Sequence, residues 1–154
     1  MANHAGGISI VAFVVAVAVS MGYYQFIYLP EANAKPIVPE KILNPPDTTK
    51  VKIVEGASLA TNTLNFVPKD TRAVLGLTNK VVWTNTDVTF HTVTSDDGYE
   101  DQINGKFNSN DQLGTLIKPG GTFEFTFTEE GEHTYHCEPH PHMKGRVAVV
   151  PNFA

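Results

Sequence analysis

From Ile8 to Leu29 the chain runs 22 residues without a charged side chain. At about 1.5 Å per residue, a helix of that length crosses the roughly 30 Å hydrocarbon core of a bilayer. Tyr23, Tyr24, Phe26 and Tyr28 crowd its C-terminal end, where amphipathic rings settle at a membrane interface. Residues 1–29 therefore read as an N-terminal transmembrane anchor. The competing reading is a secretory signal cleaved after Ala32-Asn33-Ala34. Against cleavage, the apolar run exceeds the usual h-region of about 7–15 residues, and the leading MANHAGG carries no Lys or Arg. Both readings send the rest of the chain out of the cytoplasm.

Residues 30–50 hold five prolines, Pro30, Pro36, Pro39, Pro45 and Pro46, without apolar periodicity. Such a segment predicts an extended, polyproline-like stalk. The remaining residues, 51–154, have the length of one ordinary domain. A single cysteine, Cys137, excludes an internal disulfide and any site needing several thiolates, such as a zinc ribbon or an iron–sulfur cluster. With 11 basic against 16 acidic residues and no Lys/Arg run, nucleic acid is not an expected partner.

Beyond Val51 the texture is that of short alternating strands broken by turn residues. Phe123, Phe125 and Phe127 alternate with Glu124, Thr126 and Thr128, placing three rings on one face of a strand. Val81-Val82-Trp83-Thr84 and Val147-Ala148-Val149-Val150 read as further strands, with turns at Pro119-Gly120-Gly121 and Glu130-Gly131-Glu132. The pattern predicts an all-β domain, a β-sandwich or small Greek-key barrel, behind one N-terminal helix.

Between the Phe strand and the last strand lies His133-Thr134-Tyr135-His136-Cys137-Glu138-Pro139-His140-Pro141-His142-Met143. Cys137, His140 and Met143 recur every third residue, so one tight loop can turn a thiolate, an imidazole and a thioether toward a common point. Pro139 and Pro141 fix φ and lower the entropy cost of pre-forming that loop. One more imidazole is needed, and His91, just past the Trp83 strand, is the candidate. Two His and one Cys with a weak Met on the axis is a copper arrangement suited to electron transfer.

These residues resemble the cupredoxins, the type 1 blue-copper proteins, with a short Cys-x-x-His-x-x-Met loop of the amicyanin and plastocyanin kind. The resemblance rests on Phe66-x-Pro68, Val81-x-Trp83-x-Asn85-x-Asp87, His91, Pro119-Gly120, Phe125-x-Phe127, Gly131 and the run Tyr135 to Gly145. It implies a Greek-key β-sandwich and one copper ion, with His91, Cys137 and His140 equatorial and Met143 axial. It also implies one-electron transfer through the exposed edge of His140. Two positions depart from the pattern: Thr92 stands where relatives often have Asn, and His142 where an apolar or aromatic residue is common.

His142 competes with His140 for the metal; the spacing of His140 is preferred because it leaves Met143 usable. Were His142 the ligand, the axial position would be open, and a small inorganic molecule such as a nitrogen oxide could react there. His133 and His136 read as structural or surface residues. The acidic run from Asp96 to Asp101 either steers a basic redox partner or simply solvates exposed loops. The sequence thus predicts a one-electron carrier rather than an enzyme, tethered to the membrane by a single pass. Its copper domain would lie on the extracytoplasmic side and exchange electrons with basic or membrane-bound redox proteins.

Overall fold

A computed structural model describes residues 4–34 and 37–153, and the chain separates between residues 36 and 37 into two compact units. The first unit is helical: α1 (His4–Tyr23), a π-helical turn (Tyr24–Tyr28) and α2 (Leu29–Ala32). Pro30 lies in the first turn of α2, immediately after the π-helical turn. The apolar stretch Ile10–Ala32 is 23 residues long, and its large side chains, from Ile10 and Phe13 to Val19 and Phe26, are exposed around the helix. That length and an all-round apolar surface suit a bilayer crossing.

The second unit begins inside the segment expected to be a stalk. After Pro39 the chain forms one short helix, α3 (Glu40–Leu43), and Asn79 donates its side-chain N–H to the Ile42 carbonyl at 2.7 Å. Strand β1 (Thr48–Ile53) follows directly, so the proline-rich residues from 37 onward belong to the same compact unit as the strands. Pro36 lies outside the described residues. The prolines stop longer helices here, but they do not keep the chain away from the fold.

The remaining strands are β2 (Phe66–Val67), β3 (Asp70–Val74), β4 (Lys80–Asn85), β5 (Thr94–Ser95), β6 (Glu100–Asp101), β7 (Gly105–Lys106), β8 (Thr122–Thr126), β9 (Gly131–Cys137) and β10 (His140–Val150). One sheet has the order β2-β1-β4-β8 and the other β3-β10-β9-β5, with β6 and β7 forming a separate hairpin. β1 runs parallel to β4 and β3 parallel to β10, so the chain crosses between layers rather than meandering. This is the β-sandwich the alternation predicts. Its core is aromatic: Trp83, Phe107, Phe123 and Tyr135 are buried and lie ring against ring at 5.5–6.4 Å. Phe125 and Phe127 extend the same cluster.

Two features of β9 and β10 place the chemistry. The antiparallel pairing slips between His140 and Lys144, so the strands open into a bulged loop at one end of the sandwich. One pair further in, Gly145 faces Tyr135, and a Cβ at 145 would run into the Tyr135 ring. Only glycine lets β10 pass over that ring.

Candidate metal centre

β9 ends at Cys137 with its thiol fully buried, and the turn Glu138-Pro139 returns the chain at His140. The opposing donor comes from the β4–β5 connection, where His91 exchanges both backbone hydrogen bonds with Ile117 (3.1 and 2.8 Å). The β4 strand and the segment before β8 thus hold His91 against the β9–β10 loop.

Three donor atoms converge. Cys137 Sγ lies 3.6 Å from His91 Nδ1 and 3.5 Å from His140 Nδ1, and all three atoms fall within 4.8 Å of one another. The two imidazole rings are 4.9 Å apart between centroids. Met143 is fully buried three residues beyond His140. Burial pushes the Cys137 thiol pKa up, opposed by the Thr92 N–H, which donates to Sγ at 3.3 Å. A bound cation reverses that balance, because the ligand is the thiolate. His140 is pulled below the ordinary imidazole range by burial, and then by the neighbouring imidazoles of His91 and His142.

His91 is fixed from behind. Its Nε2 lies 2.9 Å from Asp87 Oδ2 and 3.0 Å from Thr89 Oγ1. With Nδ1 turned to the thiol, Nε2 carries the proton and donates to Asp87, which sets the tautomer a metal needs. Asp87 is 2% exposed. Burial raises its pKa, but hydrogen bonds with His91, Gly56, Thr89 and Val88 outweigh that and hold it well below the usual carboxylate range.

Thr92, at the position where relatives often have Asn, bridges the two donor segments. Its N–H reaches Cys137 Sγ, and its Oγ1 accepts the Glu138 N–H at 2.8 Å, tying the two ligand segments together. His142 does not join the donor cluster: its Nε2 is 3.1 Å from the Ala57 carbonyl. His136 is half-buried, with Nδ1 at 2.6 Å from Asp96 Oδ1. His133 lies buried against Phe127 and Tyr99, at centroid distances of 4.7 and 4.2 Å.

The acidic run is partly absorbed by the fold. Asp101 is 2% exposed and accepts from Thr128 N and Oγ1 at 2.8 Å and from Ile103 and Asn104 N–H at 2.9 Å. It pins loops and does not present charge to a partner. The roles of Asp87 and Thr92 are not predicted from the sequence. A carboxylate four residues before a candidate ligand His, on a strand exit, is the signal that points to Asp87.

A soft thiolate and two imidazoles, with a buried thioether three residues beyond His140 in the chain, are donor types that suit copper, and a single thiolate disfavours structural zinc. Fold and site together define a copper-binding β-sandwich protein. Residues 53–150 match the copper binding proteins of the plastocyanin/azurin family, and the chain belongs to that family. One copper ion is its cofactor.

Among curated relatives, amicyanin-alpha of Methylorubrum extorquens is 31% identical over 107 residues, covering 68% of this chain and 74% of that protein. Amicyanin of Paracoccus denitrificans is 47% identical over 36 residues, which cover 23% of this chain and only 28% of that protein. Among solved structures, a purple cupredoxin from Nitrosopumilus maritimus superposes with a TM-score of 0.54 at 30% identity, covering 66% of this chain and 99% of that one. A copper-containing nitrite reductase from Thermus scotoductus shares the fold at 22% identity, TM-score 0.52, with 77% of this chain covering 28% of that one.

Proposed function

We propose that this chain is a membrane-anchored one-electron carrier in which His91 Nδ1, His140 Nδ1 and Cys137 Sγ hold the copper ion, with Met143 as the axial ligand. The observation that carries the reading is the meeting of Cys137 with an imidazole 46 residues away, inside a fold that fixes both. Copper held there supplies a single reversible Cu(I)/Cu(II) couple. The protein's part is to keep the donors still. Asp87 orients His91, Thr92 locks the two segments together, and burial excludes water from Cys137 and Met143. Little rearrangement is then needed when the electron enters or leaves. His140 is the half-buried member of the three, where Cys137 and His91 are fully buried, and would be the ligand through which an electron reaches the copper.

The apolar helix would tether the domain on the extracytoplasmic side, where basic or membrane-bound redox proteins are its partners. A carrier needs only a small contact with each, because release must be fast. The amicyanin relatives support this reading. In the open-site alternative, His142 is a ligand and a nitrogen oxide reacts at the metal; against it, His142 Nε2 is engaged with Ala57.

Copper loading of the full-length protein tests the assignment. The oxidised protein should show an intense visible band that disappears in Cys137→Ser, and Met143→Ala should keep copper but shift the reduction potential. Azide and nitrite should leave the spectrum unchanged. A band that survives Cys137→Ser removes that residue from the site, and a spectrum that responds to nitrite favours the open-site reading.

A further inference from the structure

Three consecutive peptide units, Gly56-Ala57-Ser58, are gripped from both sides of the metal site. On one side, Asp87 takes the Gly56 N–H on Oδ1 at 3.0 Å and the Ser58 N–H on Oδ2 at 3.3 Å. The same carboxylate holds His91. On the other side, the Ala57 carbonyl faces His142 Nε2 at 3.1 Å, although the two residues are 85 apart in sequence. Ala57 is fully buried, and its own N–H is spent on the Val54 carbonyl at 3.1 Å. Gly56 turns the chain with φ +74°, a conformation that glycine adopts at little cost.

A carbonyl oxygen only accepts, so the hydrogen in this contact sits on His142 Nε2. The result is an unbroken series of hydrogen bonds, His91 to Asp87 to residues 56–58 to His142, which ends one residue from Met143. Thr92 forms a separate tie between His91 and Cys137. Neither Thr92 nor Asp87 reaches the far end of the ligand loop, and His142 does.

We infer that His142 is a positioning residue: by donating to the Ala57 carbonyl it fastens the Met143 end of the ligand loop to the segment that Asp87 ties to His91. This inference rests on the proposed ligand set. The separation of Met143 from His91 is then set by protein hydrogen bonds rather than by metal bonding. His142 acts through the loop and does not touch the metal. Its neighbour His140, 6.2 Å away between ring centroids, keeps the ligand role.

Full-length protein carrying His142→Phe, which keeps a ring but cannot donate, is compared with His142→Gln, which restores an N–H donor. Loss of the donor lets the thioether withdraw, which favours Cu(I). The ratio of Cu(I) to Cu(II) affinity should rise about tenfold in His142→Phe, equal to about 59 mV for one electron. The visible spectrum should change with it. His142→Gln should return both toward wild type. Wild-type values in His142→Phe overturn the inference, as do equal shifts in both variants, which would assign the effect to the imidazole itself.

If His142→Phe does not fold, nitrogen-15 NMR of the wild-type copper(I) protein decides: the proton must be on Nε2 and hydrogen-bonded, and a proton on Nδ1 alone overturns the inference. Met143→Ala separates the two levels of argument. An unshifted potential in that variant removes Met143 from the axis and sinks the ligand set. A shift in Met143→Ala with a silent His142→Phe sinks only the role of His142.

Discussion

Asp87→Asn is nearly isosteric and takes away one charge, which isolates what the carboxylate does. In the native site Oδ1 accepts from Gly56 and Val88 N–H at 3.0 and 2.8 Å, and Oδ2 meets His91 Nε2, Thr89 Oγ1 and Ser58 N–H at 2.9, 2.9 and 3.3 Å. An amide can keep the first pair. Its NH2 then faces the three donors that Oδ2 accepted. Losing a charge-assisted bond costs about 1.5–3 kcal/mol, and a buried donor left unmet costs about 1–3 kcal/mol more. Relief from burying the charge offsets part of this, so the copper-free protein should lose roughly 2–4 kcal/mol.

The metal should register the same change differently. A carboxylate behind a ligand imidazole makes it a better donor, and losing such a partner typically lowers metal affinity about 10–100-fold. The loss should fall mainly on Cu(II), the more demanding charge. A tenfold difference between the two oxidation states raises the potential by about 59 mV. Urea unfolding of copper-free protein, followed by Trp83 fluorescence, and voltammetry of the loaded protein read the two effects. A stability loss below about 1 kcal/mol together with a potential shift below about 30 mV, a threefold change, would refute the role given to Asp87.

Gly145→Ala should cost about 1–3 kcal/mol, toward the upper end, because Tyr135 is boxed in by Phe66, Trp83 and Phe107 at 4.9, 5.6 and 5.9 Å. Chemical denaturation checks it, and a loss under about 0.5 kcal/mol would mean that the ring has room to move. His133 gives a pH signature. Burial holds its pKa below the ordinary 6.5, while Asp97, Asp101 and Glu132 pull it the other way. Below about pH 6.5 the unfolded chain takes up a proton that the folded protein resists, so stability falls as pH drops through that range. His133→Phe, which fits between Phe127 and Tyr99, should flatten the slope, and identical profiles for the two proteins would remove His133 as its source.

The fold was legible where burial alternates with period two. Phe123, Phe125 and Phe127 all turn inward, and Trp83 sits at the centre of the core as its strand predicts. The convergence of Cys137, His140 and His91 was legible because metal chemistry restricts residue types. The stalk was misleading in extent: proline forbids regular helix, but the Ile42 carbonyl contact to Asn79 depends on a partner 37 residues away. The grip of Asp87 and His142 on residues 56–58 was hidden for the same reason. Backbone N–H and carbonyl groups leave no mark in sequence, so their capture by distant side chains becomes visible only in three dimensions.

With copper held by the proposed ligand set, the two contacts immediately behind the donors would push the couple in opposite directions. Asp87 adds a buried negative charge to the far side of His91 and favours the more positive Cu(II). The Thr92 N–H points at Cys137 Sγ and draws electron density off the sulfur, which favours Cu(I). Thr92 makes its contact through the backbone, so no substitution at 92 other than proline removes it, and the threonine hydroxyl is left free to hold Glu138. Asp87 makes its contact through a side chain and can be changed. Of these two contacts, the main-chain one is therefore fixed, and the one from the buried carboxylate leaves the potential open to adjustment by substitution.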